Sequence, residues 1–144
     1  MSHPKPLISK MAHICLESTD LERTRHYYGE ILGMETAFDF RKDETLYGFY
    51  LKVGGGSFIE VFGTGRAAPL APEKGVKHLC LEVPSVDAVE ARLLENNQPV
   101  WGKKLGCDQT WQIWSHDPDG IPIEFHQYTE ESLQLRGGVC KVDW

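Results

Sequence analysis

Several features are missing from this chain of 144 residues, and each absence removes a class of protein. No apolar run approaches the ~18 residues needed to span a bilayer, so no membrane partner is expected. No run of Lys and Arg is longer than the pair Lys103-Lys104, and the net charge is −6. That field repels a phosphate backbone, so nucleic acid is not an expected partner either. Cysteine is scarce: Cys15, Cys80, Cys107 and Cys140 are widely spaced and form no Cys-x-x-Cys pair. The spacing does not suggest a disulfide framework, and free thiols are expected. Residues 1–10 lack the apolar core of a secretory signal, which makes the cytoplasm the expected compartment. What remains is 41% hydrophobic and 25% charged, the balance of a soluble globular protein.

The chain repeats itself. Residues 13–17 read His-Ile-Cys-Leu-Glu and residues 78–82 read His-Leu-Cys-Leu-Glu, an offset of 65 from 13 to 78. Residues 58–62, Phe-Ile-Glu-Val-Phe, correspond to residues 122–126, Pro-Ile-Glu-Phe-His, with an offset of 64 from 60 to 124. Between these matches each half carries a polar cap and a helical pattern. The first half has Ser18-Thr19-Asp20 and then Leu21 to Leu32; the second has Pro84-Ser85 and then Val86 to Asn96.

Each half therefore predicts a strand, a helix and three more strands. Strands are expected near 10–17, 34–40, 45–52 and 57–62, then near 75–83, 99–104, 109–115 and 121–127. Helices are expected near 20–31 and 85–96, with a short one at 130–135. Gly54-Gly55-Gly56 and Asp117-Pro118-Asp119-Gly120 are hairpin signals. The chain divides as a first module at 8–62, a linker at 63–75, a second module at 76–128 and a tail at 129–144.

Strand parity sorts the side chains. His13, Cys15 and Glu17 share a face opposite Ile14 and Leu16; His78, Cys80 and Glu82 share one opposite Leu79 and Leu81. Glu60 sits between Ile59 and Val61, and Glu124 between Ile123 and Phe125. A mid-strand carboxylate costs several kcal/mol if buried ionised and unpaired. A lone strand His is usually a packed core residue, and a lone strand Glu usually faces solvent. The repetition of the pair favours another reading. His13, Glu60, His78 and Glu124 suggest one divalent cation, since two neutral imidazoles and two carboxylates neutralise a 2+ charge. That set suits Zn, Ni, Co, Mn or Fe(II) and leaves open positions for catalysis.

Other residues carry plainer readings. Cys15 and Cys80 are expected as small buried packing residues. Trp111, Trp114, Tyr47 and Phe49 line a pocket wall or fill the core. His26 is expected at the surface. His116 lies near the last hairpin, and His126 shares the face of Glu124. The glycine run at 54–56 is a turn, not a phosphate loop.

These residues resemble the vicinal oxygen chelate superfamily of glyoxalase I, bleomycin-resistance proteins and dioxygenases. The resemblance runs from Lys10 to Tyr128. It rests on the His13 strand, Asp20-Leu21-Glu22-Arg23, Tyr27-Tyr28 and Leu32-Gly33-Met34, and on Asp117-Pro118-Asp119-Gly120 followed by Glu124. It implies an α+β fold of two βαβββ modules forming a curled mixed sheet around a metal. It also implies a homodimer. The ligand order His13, Glu60, His78, Glu124 is similar to that of glyoxalase I. By that resemblance the chain is a metal-dependent lyase or isomerase, moving a proton through a metal-bound enediolate of a small carbonyl substrate. Glu124 is the expected base and Glu60 its second. The stretch after Glu60, Val61-Phe62-Gly63-Thr64-Gly65, departs from the pattern that grips glutathione, which speaks against that cosubstrate. The rival expectations are an Fe(II) dioxygenase of the extradiol type and a non-catalytic protein that sequesters a ligand.

Overall fold

The apolar residues that alternate along the strands also decide which face of each sheet is covered. In the computed structural model, which describes residues 11, 13–64, 78–137 and 139–140, the chain divides into two compact units, residues 1–70 and 71–144.

The first unit contains β1 (His13–Ser18), α1 (Leu21–Arg25), β2 (Thr36–Lys42), β3 (Thr45–Gly54) and β4 (Ser57–Gly63). Its sheet runs in the order β1-β4-β3-β2, with β1 parallel to β4 and the other pairs antiparallel. Leu16, Phe49, Leu51, Ile59 and Val61 are buried on one face. Asp20 caps α1, its carboxylate accepting from the Arg23 N–H at 3.1 Å. The buried hydroxyls of Ser18 and Thr24 meet at 2.7 Å and satisfy each other beneath the helix. The helix then widens into a π-helical segment, His26–Ile31, where the Leu32 N–H reaches back five residues to the Tyr27 carbonyl at 3.0 Å. The wider turn carries the neighbours Tyr27 and Tyr28 inward together, and both are buried. Gly33 follows with φ 79°, a left-handed turn that glycine adopts at little cost.

The second unit repeats this order with β5 (Leu79–Glu82), α2 (Val86–Glu95), β6 (Trp101–Leu105), β7 (Trp111–His116) and β8 (Pro122–Gln127), and adds a short α3 (Leu133–Arg136). Its sheet order is β5-β8-β7-β6, again with only the first pair parallel. Ser85 caps α2 through the Ala88 N–H at 3.2 Å. Leu79, Leu93, Ile113, Ile123 and Phe125 are buried. The Asp117 carboxylate closes the last hairpin, accepting from the Asp119 and Ile121 N–H groups at 2.8 and 3.0 Å.

The α+β class and the strand, helix, three-strand order of each half agree with expectation. Each module hydrogen-bonds its own four strands into an open sheet. The expected linker at 63–75 lies, from residue 65 onward, outside the described residues, as do 75–77 of the fifth strand and 10 and 12 of the first. Among the described residues no helix is long and apolar enough to cross a membrane.

Candidate metal centre

In the first module, the parallel register of β1 and β4 sets Cys15 beside Glu60, and the antiparallel register of β3 and β4 sets Tyr50 beside Glu60. Their alternation away from the buried Ile59 and Val61 puts all three on the uncovered face. His13 Nε2 stands 3.8 Å from Glu60 Oε1, close enough for charge attraction but too long for a hydrogen bond. Its other nitrogen, Nδ1, lies 2.7 Å from the Tyr50 hydroxyl. If Nδ1–H donates to Tyr50, Nε2 keeps a lone pair facing Glu60, the tautomer a metal ligand needs. Burial and the neighbouring Glu60 push the Cys15 thiol up to about 11.

In the second module the registers recur: Cys80 pairs with Glu124 across β5 and β8, and Trp114 with Glu124 across β7 and β8. Glu124 is the more deeply placed carboxylate, 7% exposed. Its Oε2 lies 3.1 Å from His78 Nε2, and its Oε1 accepts from His126 Nε2 at 2.8 Å. The His78 and Trp114 rings pack in an edge-to-face arrangement with centroids 4.8 Å apart. Cys80, Glu124 and His126 each present a donor atom within 4.8 Å of the others. Hydrogen bonding to Cys80 and then to Glu124 outweighs burial and raises the His126 imidazole to about 10.

The structure thus brings His13 together with Glu60, and His78 with Glu124, each pair inside its own module. One expectation needs correction. Cys15 and Cys80 are exposed rather than packed inside, because each lies two residues from a histidine along its strand and so turns to the same uncovered face. Phe49 belongs to the core and Tyr47 lies against Phe62, whereas Trp114 packs on the candidate ligand His78. Tyr50 was missed as the partner of His13; its equivalence to Trp114 at the repeat offset of 64 was the available signal. His26 is exposed, as is His116.

Residues 12–107 match the Glyoxalase/Bleomycin resistance protein/Dioxygenase superfamily, and the chain belongs to that superfamily. No curated protein matches the sequence. Among solved structures, a glyoxylase/bleomycin resistance protein/dioxygenase domain from Frankia sp. EAN1pec superposes with a TM-score of 0.74 at 23% identity, over 90% of this chain and 98% of that one. A lactoylglutathione lyase from Agrobacterium tumefaciens gives 0.67 at 20% identity, over 93% and 100%. An antibiotic binding protein from Streptomyces sp. CB03234 gives 0.69 at 24% identity, over 87% and 100%. These likenesses speak for the fold. Proteins named for such different activities share it, so the chemistry must be argued from the site.

Proposed function

We propose that the chain is a divalent-metal-dependent lyase or isomerase of the glyoxalase I-like type, acting on a small carbonyl compound, with His13, Glu60, His78 and Glu124 as its metal ligands. The observation that carries this reading is the duplicated pair: in each module a poorly exposed carboxylate faces an imidazole Nε2 from the neighbouring parallel strand. The donor set fits a borderline cation such as Zn, Ni, Co, Mn or Fe(II). When bound, the cation supplies Lewis-acid polarisation of a carbonyl oxygen. Glu124 is the base that takes a proton from the carbon beside that carbonyl and returns it to the next. Its low exposure limits competition from water, and His126 fixes one of its oxygens in orientation. Glu60, more open, is the second carboxylate. A homodimer belongs to the same proposal.

The test is metal content of the purified, metal-supplemented protein beside the His13→Ala variant, followed by turnover on α-hydroxy and α-keto carbonyl compounds. Wild type is expected to hold a divalent metal and His13→Ala to hold less. Glu124→Gln is expected to lower kcat by roughly 10²–10⁴-fold with an unchanged fold. Full activity in Glu124→Gln, or no metal in wild type, sinks the reading. Methylglyoxal with glutathione is a separate arm that checks the narrow lactoylglutathione version.

One observation favours a second reading, a ligand-sequestering protein. Phe38, Phe40, Tyr47, Tyr50, Phe58 and Phe62 form a continuous aromatic array, with Phe38 stacked on Tyr50 at 4.7 Å between centroids. Phe38 and Tyr47 are about half exposed. Such a surface suits a flat apolar ligand, in keeping with the antibiotic binding relative. This reading predicts stoichiometric binding without turnover, weakened in Phe38→Ala.

A further inference from the structure

Of the positions where the second module departs from the repeat on its uncovered face, one adds a metal-binding group. The offset of 64 takes Glu60 to Glu124, Tyr50 to Trp114 and Phe62 to His126. An apolar ring beside the first carboxylate is thus replaced by an imidazole beside the second. The register that sets Cys80 beside Glu124, as it sets Cys15 beside Glu60, supplies a sulfur. We propose that Cys80, Glu124 and His126 form a thiophilic metal site contained within the second module. This deepens the metal reading above and rests on it only for Glu124 as a ligand.

Three observations support the site. The donor atoms of Cys80, Glu124 and His126 already lie within 4.8 Å of one another. A tetrahedral zinc with bonds of about 2.0–2.3 Å holds its donors roughly 3.5 Å apart, so small side-chain rotations suffice. The donors stand on adjacent hydrogen-bonded strands, which hold a constellation more firmly than loops do. Glu124 is nearly buried, while Cys80 is exposed and gives an ion a way in. Sulfur and imidazole together select zinc or cobalt over magnesium, calcium and manganese, which the four-residue His/Glu set does not. On metal uptake the Cys80 thiol and the protonated His126 ring each give a proton to solvent, leaving a thiolate and a neutral imidazole as ligands.

The test is titration of the full metal-free chain with Co(II), in a Cys107→Ser/Cys140→Ser background. Its readouts are the near-ultraviolet thiolate-to-cobalt charge-transfer band and competition by Zn(II). Wild type at these three donors is expected to show the band and lose it to zinc. Cys80→Ser should abolish the band and weaken binding by at least about tenfold, and His126→Phe should weaken binding similarly. His13→Ala should keep the band. Circular dichroism of the metal-free variants checks the fold; if His126→Phe fails that check, Cys80→Ser decides alone. Cobalt bound without the band, or binding undisturbed in Cys80→Ser but lost in His13→Ala, overturns this proposal and leaves the four-ligand reading standing. Loss of the band in His13→Ala also overturns it, because the site would then depend on the first module. Absence of cobalt binding by wild type removes both.

Discussion

The two modules place a carboxylate at the same register position and then surround it differently. Glu60 has His13 at 3.8 Å and a field of aromatic rings reaching from Phe58 and Tyr50 to Phe38. Each carboxylate has a cysteine opposite it, but Glu124 has imidazoles on both oxygens. The two modules thus share the metal-suited pair, while one carries extra apolar area and the other an extra imidazole. The lesson is that strand register, not sequence distance, decides what a ligand residue meets. Cys15, Tyr50 and Glu60 lie across three strands yet are side by side.

If the modules are true copies beneath their uncovered faces, equivalent core positions should respond alike, scaled by side-chain size. Phe49 and Ile113 are fully buried and stand 64 residues apart. Truncation leaves a cavity in addition to losing transfer free energy. Phe49→Ala is expected to cost about 3–5 kcal/mol and Ile113→Ala about 2–5 kcal/mol. The Arg25 guanidinium, 4.5 Å above the Phe49 ring, adds to the first loss. Urea unfolding measures both. A negligible cost at either position would show that the two cores are not built on one plan.

Gly48 sharpens the comparison where the modules differ. It faces Phe62 across β3 and β4, as Gln112 faces His126 across β7 and β8. A Cβ on Gly48 would press into the Val61 carbonyl and come within 2.7 Å of the Phe62 ring. The glycine is therefore needed for space, so that Phe62 can lie over the strand. Gly48→Ala is expected to destabilise by about 1–3 kcal/mol through overpacking. Gln112→Ala should stay within about 0.5 kcal/mol. Equal midpoints for the two variants in urea would remove the steric account of the aromatic array.

Much of this arrangement was legible in the sequence, because period and repeat are local properties. The two His-Leu/Ile-Cys-Leu-Glu pentads fixed the first strand of each half, and alternation around Glu60 and Glu124 separated core from open face. Asp20 and Ser85 announced the helix starts, and both cap as N-terminal residues. What was not legible depended on lateral register. Cys15 and Cys80 read as packing residues because cysteine is commonly buried, yet their parity with the histidines already argued otherwise. The hydroxyl of Tyr50 on His13 and the second imidazole on Glu124 needed knowledge of which residue stands opposite which. The widening of the first helix at His26–Ile31 leaves no mark in a pattern read at 3.6 residues per turn.

The smallest effect tests the comparison at the surface. Arg25 on the first helix pairs with Asp39 on β2 at 2.8 Å, and at the equivalent positions Glu90 pairs with Lys103 at 3.4 Å. The charges are reversed, but a helix is tied to the second strand in both modules. The pairs should not be worth the same. Arg25 and Asp39 are 30% and 25% exposed, and the guanidinium also covers Phe49. Lys103 is shared between Glu90 and the well-exposed Asp87, so neither partner holds it in one geometry. Solvent screens such contacts, and salt screens the more exposed ones further. A double-mutant cycle on Arg25 and Asp39 is expected to give a coupling of about 0.5–1 kcal/mol that persists in high salt. The cycle on Glu90 and Lys103 should give a smaller coupling that fades as salt is added. Equal couplings with equal salt dependence would mean that partial burial and the Phe49 ring contribute nothing to the first pair, and the two ties would then be copies in strength as well as in position.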